Sequence, residues 1–320
     1  MILNLTLLIA GLLLILFGAN YLVDGSSSIA KRFGLSEFVI GLTIVGIGTS
    51  APEMVVSFMA SIQGKADMAI GNIVGSNIIN TFLILGITAL ISPLIITKDN
   101  IKRDTPLNIL VTVLLLMLGM KHTIFGVGSD QLSRWDGLIF LAIFAWYLWR
   151  SFKIEPSESE EEEGEEIQIY STGSSILFII AGLVGLVSGG KLFVNSAAEL
   201  AVAWGASEKF IAITIMALGT SLPELATCVV AALKGRGQLA LGNILGSNIS
   251  NILLILGGAA LINPLSFAGI KMMDAAALLI ASVFIFLTAF TFVKKRIDRV
   301  EGVIMLLLEA GYLWYLISNL

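Results

Sequence analysis

An internal repeat restricts the fold more than any other feature, because the sequence matches itself after a shift of 171 residues. The first copy reads LTIVGIGTSAPE…GNIVGSNIINTFLILGITALISP, and the second reads ITIMALGTSLPE…GNILGSNISNILLILGGAALINP. About 35 of the 83 positions from Gly11 to Pro93 are identical to their partners. Chance similarity between two apolar helices would match leucines, whereas these matches include Gly, Thr, Ser, Pro, Glu and Asn. The sequence therefore predicts two equivalent halves that arose by duplication.

Composition places both halves in a membrane. The chain is 57% hydrophobic and 13% charged, with a mean hydropathy of +0.94, whereas soluble domains have about 45–50% apolar and about 25% charged residues. Ten apolar segments are each long enough to cross a hydrocarbon core of about 30 Å. They are 3–23, 36–62, 67–92, 105–120, 134–151, 174–194, 207–233, 238–263, 272–293 and 300–318. We therefore expect an all-α polytopic membrane protein with ten transmembrane helices.

The number of segments in each half predicts the topology. Each repeat has five spans, an odd number, so the two copies cross the membrane in opposite senses and form an inverted-topology repeat. We divide the chain into a first repeat (1–150), an acidic linker (151–172) that includes EPSESEEEEGEE, and a second repeat (173–320). The loops on the linker side hold thirteen Lys and Arg residues and the other loops six. This asymmetry predicts a cytoplasmic linker and extracytoplasmic termini in the cell membrane, plasma or inner.

The motif GTSAPE places a proline and a glutamate inside an otherwise apolar run. A carboxylate in mid-membrane costs several kcal/mol unless it is paired. Pro52 cannot donate to the carbonyl of Gly48 and releases it, while Thr49, Ser50 and Glu53 add further oxygens. Corresponding broken helices in two halves predict a binding site near the bilayer midplane. The second copy repeats the set with Gly219, Thr220, Ser221, Pro223 and Glu224.

The second motif, GNxxGSNxxN, carries a polar face. Asn72, Ser76 and Asn80 are spaced i, i+4, i+8 and lie on one side of a helix. The second copy carries Asn243, Ser247 and Asn251. The glycines are typical of close helix packing, with asparagines as interhelical hydrogen-bond partners. We expect ligands at Ser76, Asn80, Ser247 and Asn251, and either ligands or supporting residues at Asn72 and Asn243.

This donor set favours a hard cation. It contains carboxylate, hydroxyl, amide and carbonyl oxygens, which suit Ca²⁺ or Na⁺. A single cysteine, Cys228, and a single histidine, His122, exclude a disulfide framework and a Cys/His metal site. Two carboxylates neutralise one Ca²⁺ or two Na⁺, so the two ions can compete. We expect these ions and the lipid bilayer as partners, with no cofactor, no nucleic acid and no evident protein partner.

Paired GTSxPE and GNxxGSNxxN segments around an acidic linker resemble the sodium/calcium exchanger branch of the cation/calcium antiporter superfamily. The resemblance implies secondary antiport of Na⁺ for Ca²⁺ by alternating access, in which helices 3–23 and 174–194 slide across an eight-helix core. It implies that Ca²⁺ binds Glu53 and Glu224. The remaining implied ligands are the carbonyls of Thr49 and Thr220 for Ca²⁺; Ser50, Ser221, Ser76, Ser247 and the carbonyls of Gly46 and Ala217 for Na⁺; and Asn80 and Asn251 at the centre.

One position departs from part of that family. Some members, including potassium-dependent ones, have Asp where this chain has Asn251. Asparagine in both repeats leaves two central carboxylates rather than three, which disfavours K⁺ coupling. The linker is also too short for the calcium-sensing domains of animal exchangers, so the resemblance implies a minimal, prokaryotic-type member.

Three alternatives remain open from the sequence. A Ca²⁺/H⁺ antiporter would use the same glutamates for protons, although the hydroxyl-rich GTSxPE favours Na⁺. A passive cation channel also uses oxygen-lined sites, but an inverted repeat argues against a continuous pore. A membrane-embedded enzyme needs a nucleophile with a base, and no histidine or lysine partner for Ser50 is visible in any predicted span. The ion that drives Ca²⁺ uptake discriminates among the transport alternatives.

Overall fold

A computed structural model of the chain describes residues 2–153, 167–203, 217–293 and 295–318, and these are almost entirely helical. The helices are α1 (Ile2–Phe33), α2 (Glu37–Thr49), α3 (Ala51–Ile62), α4 (Ala66–Ile91), α5 (Thr105–Gly119), α6 (Lys121–Phe125), α7 (Arg134–Ser151), α8 (Thr172–Ala203), α9 (Ala217–Gly219), α10 (Leu222–Leu233), α11 (Gly237–Ile262), α12 (Met272–Thr288) and α13 (Arg299–Ser318). The π-helical turns are Gly41–Val45, Asn80–Leu85, Asn100–Asp104 and Asn251–Leu256.

The helices lie where the sequence predicts spans, and most ends agree within two residues. Part of the predicted span 207–233 lies outside the described residues. Within the described part, five helices (α1, α4, α8, α11 and α13) are long and apolar enough to cross a membrane, and a sixth span results if α2 and α3 are counted as one bent span. The full count of ten remains a prediction.

The first helix of each repeat is longer than predicted. The sequence predicted ends at residues 23 and 194, because polar residues follow, but α1 continues to Phe33 and α8 to Ala203. Ser28 is buried in the extension of α1, and its Oγ accepts hydrogen bonds from the Ser175 hydroxyl and the Tyr170 N–H, both at 2.9 Å. Ser28 in the extension of α1 is therefore hydrogen-bonded to the second repeat through Ser175 and to the end of the linker through Tyr170. The predicted helix 272–293 is in turn shorter and ends at Thr288.

Two short antiparallel strand pairs join the repeats. The strands are β1 (Leu94–Ile95), β2 (Gln131–Leu132), β3 (Leu265–Ser266) and β4 (Arg296–Ile297). Each pair joins one strand from each half, since β1 pairs with β4 and β2 pairs with β3. Because β1 and β3 are equivalent positions of the repeat, the two pairs obey the same pseudo-two-fold relation as the sequence.

The first helices of the two repeats form a close antiparallel pair. Gly11 of α1 lies against Gly189 of α8, and Gly18 lies against Gly182. A Cβ at Gly18 would lie 2.8 Å from the Gly182 carbonyl oxygen, and a Cβ at Gly182 would lie 2.8 Å from that of Gly18. The backbones therefore touch where only glycine fits. An antiparallel crossing of repeat-equivalent helices is what an inverted repeat predicts.

Helices α4 and α11 lie at the centre of the molecule. In the most apolar stretch of each, 78% and 83% of the residues are buried, against 22–28% for α1, α8 and α13. Both central helices carry the GNxxGSNxxN motif. The polar motif of each repeat is thus in the part of the protein most removed from lipid.

Candidate cation site

Each GTSxPE motif interrupts a helix in the same way. Helices α2 and α3 are bent by 48° at Ser50, whose φ and ψ are −78° and 10°. In the second repeat, Ser221 separates α9 from α10 with φ and ψ of −89° and 5°. Pro52 and Pro223 lie in the first turn of the following helix, where a missing N–H costs no intrahelical hydrogen bond. The break lies where the proline predicts it.

The two glutamates that follow these breaks are buried and linked across the repeats. Glu53 and Glu224 are each 1% exposed. The hydroxyl of Ser50 donates to Glu224 Oε1 at 3.0 Å, and the hydroxyl of Ser221 donates to Glu53 Oε1 at 3.4 Å. Each motif therefore binds the carboxylate of the other, which places the two carboxylates in one site.

The central helices complete this site from two sides. The hydroxyl of Ser76 donates to Glu53 Oε1 at 3.4 Å, and the hydroxyl of Ser247 donates to the Gly46 carbonyl at 3.1 Å. Asn80 and Asn251 follow one turn later, and each begins a π-helical turn. Such turns occur frequently at functional sites. All four side chains are buried.

Four buried oxygen atoms of this site have no hydrogen-bond partner within the described residues. They are Glu53 Oε2, Glu224 Oε2, Asn80 Oδ1 and Asn251 Oδ1. Each is a hydrogen-bond acceptor, and for each the equivalent atom of the other repeat also has no partner among the described residues. An unsatisfied buried acceptor costs about 1–3 kcal/mol, and more when it is charged. A cation satisfies several such acceptors at once, so the donor set fits a cation bound by oxygen.

Asn72 and Asn243 support the motifs rather than the centre. The amide of Asn72 donates to the Glu53 carbonyl at 3.3 Å and to the Ser57 hydroxyl at 3.1 Å. The amide of Asn243 donates to Cys228 Sγ at 3.3 Å. Cys228 is the repeat equivalent of Ser57, so both asparagines hold the start of their central helix to the helix after the break. Of the two roles left open by the sequence, this geometry favours the supporting one.

A sodium/calcium exchanger protein family model matches residues 3–153 and 174–318. The chain belongs to the sodium/calcium exchanger family. The sodium/calcium exchanger MaX1 of Methanosarcina acetivorans is 33% identical, with 97% of each chain covered. The inner membrane protein YrbG of Escherichia coli is 38% identical over 82% of this chain and 81% of its own length. A solved structure of the sodium-calcium exchanger NCX_Mj matches with a TM-score of 0.84, 34% identity, and coverage of 98% of this chain and 99% of that chain.

The family assignment confirms the all-helical, multi-pass membrane fold and makes the protein an antiporter of calcium and another cation rather than an enzyme. The exchanger contains no cluster of three or more His, Cys, Asp or Glu side chains in its described part. Its candidate site instead combines two carboxylates with amide, hydroxyl and carbonyl oxygens. These oxygens are the ligand types that Ca²⁺ and Na⁺ prefer.

The remaining predicted ligands are Thr49, Thr220 and Ala217. The hydroxyl of Thr49 donates to Asn243 Oδ1 at 3.1 Å and approaches the Gly46 carbonyl at 3.4 Å. Thr49 therefore supports Asn243 with its side chain, which leaves its carbonyl for the predicted ligand role. Thr220 is half-buried at the second break. Ala217 begins α9, and the residues that precede it lie outside the described ranges.

Sequence reasoning missed two asparagines of the exchanger, Asn77 and Asn248. The amide of Asn77 donates to the Asn248 carbonyl at 3.1 Å, and Asn77 Oδ1 accepts from the amide of Asn251 at 2.9 Å. Asn248 Oδ1 accepts from the amide of Asn80 at 3.2 Å. The i, i+4, i+8 pattern starting at Asn72 excludes both positions, because they follow the serines and project from another face. Their identity in both repeats was the available signal.

Proposed function

We propose that the protein exchanges Na⁺ for Ca²⁺ across the cell membrane by alternating access, with Glu53 and Glu224 binding the two ions competitively. The observation that supports this most is the pairing of two buried carboxylates, each with one oxygen that has no partner among the described residues. Two charges match one Ca²⁺ or two Na⁺. The relative MaX1, itself named a sodium/calcium exchanger, supports Na⁺ as the second ion.

The resemblance to the exchanger family implies the roles of the other oxygens. Ca²⁺ takes six to eight oxygen ligands at about 2.3–2.6 Å. Two carboxylates supply at most four, so the carbonyls of Thr49 and Thr220 and the amide oxygens would supply the others. The serine hydroxyls that now donate to a carboxylate or carbonyl offer their lone pairs to Na⁺. We assign Ca²⁺ to Glu53, Glu224, Thr49 and Thr220; Na⁺ to Ser50, Ser76, Ser221, Ser247, Gly46 and Ala217; and the centre to Asn80 and Asn251.

Alternating access requires the α1–α8 pair to move relative to the rest of the protein. The close glycine contacts favour movement of these two helices as one unit. An ion pair of 2.6 Å between Asp24 of α1 and Lys234, just after α10, joins the pair to the rest of the protein. Sliding must break this contact. In the orientation that we propose, the linker is cytoplasmic and both termini are extracytoplasmic.

A Ca²⁺/H⁺ antiporter is the second candidate, because the same buried glutamates can carry protons. The hydroxyls of Ser50, Ser76 and Ser221 favour Na⁺, since all three point at the carboxylates. A proton held on a carboxylate does not require three hydroxyl ligands.

Gradient-driven uptake separates these candidates. The purified protein is reconstituted into liposomes loaded with Na⁺, K⁺ or a proton gradient alone and diluted into radiolabelled Ca²⁺. We expect uptake only with internal Na⁺. Uptake driven by the proton gradient would establish the second candidate instead. Uptake without any coupling ion would indicate a channel and contradict both.

A further inference from the structure

The four asparagines at the centre form one hydrogen-bonded network across the repeats. Asn80 and Asn251 each use the amide nitrogen to bind the asparagine that lies three residues earlier in the opposite repeat, at 3.2 and 2.9 Å. Asn77 and Asn248 are also joined to each other, through the Asn77 amide and the Asn248 carbonyl. All four side chains are at most 3% exposed. The network binds the amide nitrogens of Asn80 and Asn251, whose oxygens have no partner among the described residues.

The orientation of the Asn251 amide follows from donor and acceptor chemistry. A backbone carbonyl only accepts, so the Asn77 nitrogen must face the Asn248 carbonyl and Asn77 Oδ1 must face Asn251. Asn251 must then present its nitrogen to Asn77. Its own oxygen is turned to the other side, where it has no partner among the described residues.

The orientation of the Asn80 amide rests on a different group. The amide nitrogen of Asn248 donates to the hydroxyl of Thr81 at 3.0 Å. A hydroxyl can donate as well as accept, so this side has a second arrangement in which both amides are inverted. The repeat equivalent of Thr81 is Ile252, which has no hydroxyl. The two halves therefore differ: a backbone carbonyl allows one orientation of the Asn251 amide, whereas the Thr81 hydroxyl allows the observed orientation of the Asn80 amide and the inverted one.

We infer that Asn77 and Asn248 are positioning residues, which direct the amide oxygens of Asn251 and Asn80 toward the transported cation. An amide that presents its nitrogen would replace an attractive oxygen by a repulsive N–H, so the orientation decides whether the residue is a ligand. The Thr81 hydroxyl holds the Asn248 side chain by a hydrogen bond and so acts, through Asn248, on Asn80 and not on Asn251. This inference rests on the proposed function, because it assumes that the two amide oxygens bind the ion.

Calcium binding to the full-length protein in detergent, followed by titration calorimetry, tests the inference. Asn77→Ala removes the acceptor for the Asn251 nitrogen, and loss of such a supporting partner costs about 10–100-fold in metal affinity. If Asn77 acts through Asn251, the double variant with Asn251→Ala binds Ca²⁺ no more weakly than Asn251→Ala alone. An additive double variant, or an unchanged affinity in Asn77→Ala, would overturn the inference.

Two variants of Thr81 test the role of Asn248 toward Asn80 without removing an asparagine. Thr81→Ser keeps the hydroxyl and should retain the wild-type Ca²⁺ affinity, whereas Thr81→Val should lower it. Equal Ca²⁺ affinities in these two variants would show that the Thr81 hydroxyl does not act on Asn80. This pair also serves if Asn77→Ala fails to fold.

Ser61→Ala is the matched control, since it deletes another buried hydrogen bond between the repeats, from Ser61 to the Ala259 carbonyl at 2.7 Å. We expect it to lower Tm and leave Ca²⁺ affinity unchanged. A comparable loss of Ca²⁺ affinity in this control would mean that the losses in the asparagine variants result from general destabilisation, and would contradict the inference. Failure of the wild-type protein itself to bind Ca²⁺ would instead refute the proposed function.

Discussion

Gly18→Ala should weaken the pairing of α1 with α8. The new Cβ would lie 2.7 Å from the Leu186 backbone nitrogen and 2.8 Å from the Gly182 carbonyl oxygen. Favourable heavy-atom contacts are about 3.5 Å or longer, so the two backbones must separate by roughly 0.7 Å. Overpacking of this kind costs about 1–3 kcal/mol. The higher helix propensity of alanine returns about 1 kcal/mol, which leaves a net loss of about 0–2 kcal/mol.

Thermal unfolding in detergent measures this loss, and Gly311→Ala is the matched control. Gly311 is exposed within α13, and no described atom lies within 4 Å of a Cβ placed there. We expect Gly311→Ala to keep or raise Tm and Gly18→Ala to lower it. Sodium-driven uptake by Gly18→Ala should slow, while its Ca²⁺ affinity stays unchanged, because the substitution is on the moving pair. Equal Tm values for the two variants would refute the close-contact argument.

Three further predictions concern charged groups. Glu53→Gln or Glu224→Gln should each abolish exchange without unfolding the protein; retained Ca²⁺ uptake in a folded variant would contradict the assignment. Asp24→Asn removes a partly exposed ion pair, which is worth about 0.2–1 kcal/mol, so it should change the exchange rate by at most about fivefold without altering Ca²⁺ affinity in a binding titration. Hydrogen bonds from the Thr123 side chain and from nearby backbone N–H groups hold the pKa of Asp130 below its usual range. The carboxylate therefore contributes stability above its unfolded pKa of about 3.9, and this contribution is lost as the pH falls through the lower folded pKa. Between these two values Asp130→Asn should show a weaker dependence of Tm on pH than the wild type, and equal slopes would contradict this.

Much of the fold is readable from the sequence because membrane helices are long and apolar and because the chain repeats itself. The paired breaks at Ser50 and Ser221 follow from proline, which has a local and predictable effect. The pairing of Glu53 with Glu224 agrees with the repeat, since equivalent positions that lie near a pseudo-two-fold axis are close to each other.

Other features depend on contacts between the two repeats, which cannot be predicted from a local sequence pattern. Helix α1 continues past residue 23, and Ser28 in this extension accepts a hydrogen bond from Ser175 of the opposite repeat. The strand pairs between repeats are only two residues long, too short for a periodic signal. The difference between Asn80 and Asn251 arises from Thr81, whose repeat equivalent is Ile252. Comparison of the two copies finds that difference, but only the structure relates it to the central amides.

We propose that Ca²⁺ and Na⁺ compete for a single site containing Glu53 and Glu224. Titration of Ca²⁺ into the purified protein at increasing Na⁺ concentration tests this competition. We predict that the apparent Ca²⁺ Kd rises more steeply than in proportion to Na⁺, because two Na⁺ replace one Ca²⁺, while the number of Ca²⁺ sites stays constant. A Ca²⁺ Kd that does not change with Na⁺, or a falling number of sites at constant Kd, would contradict the claim.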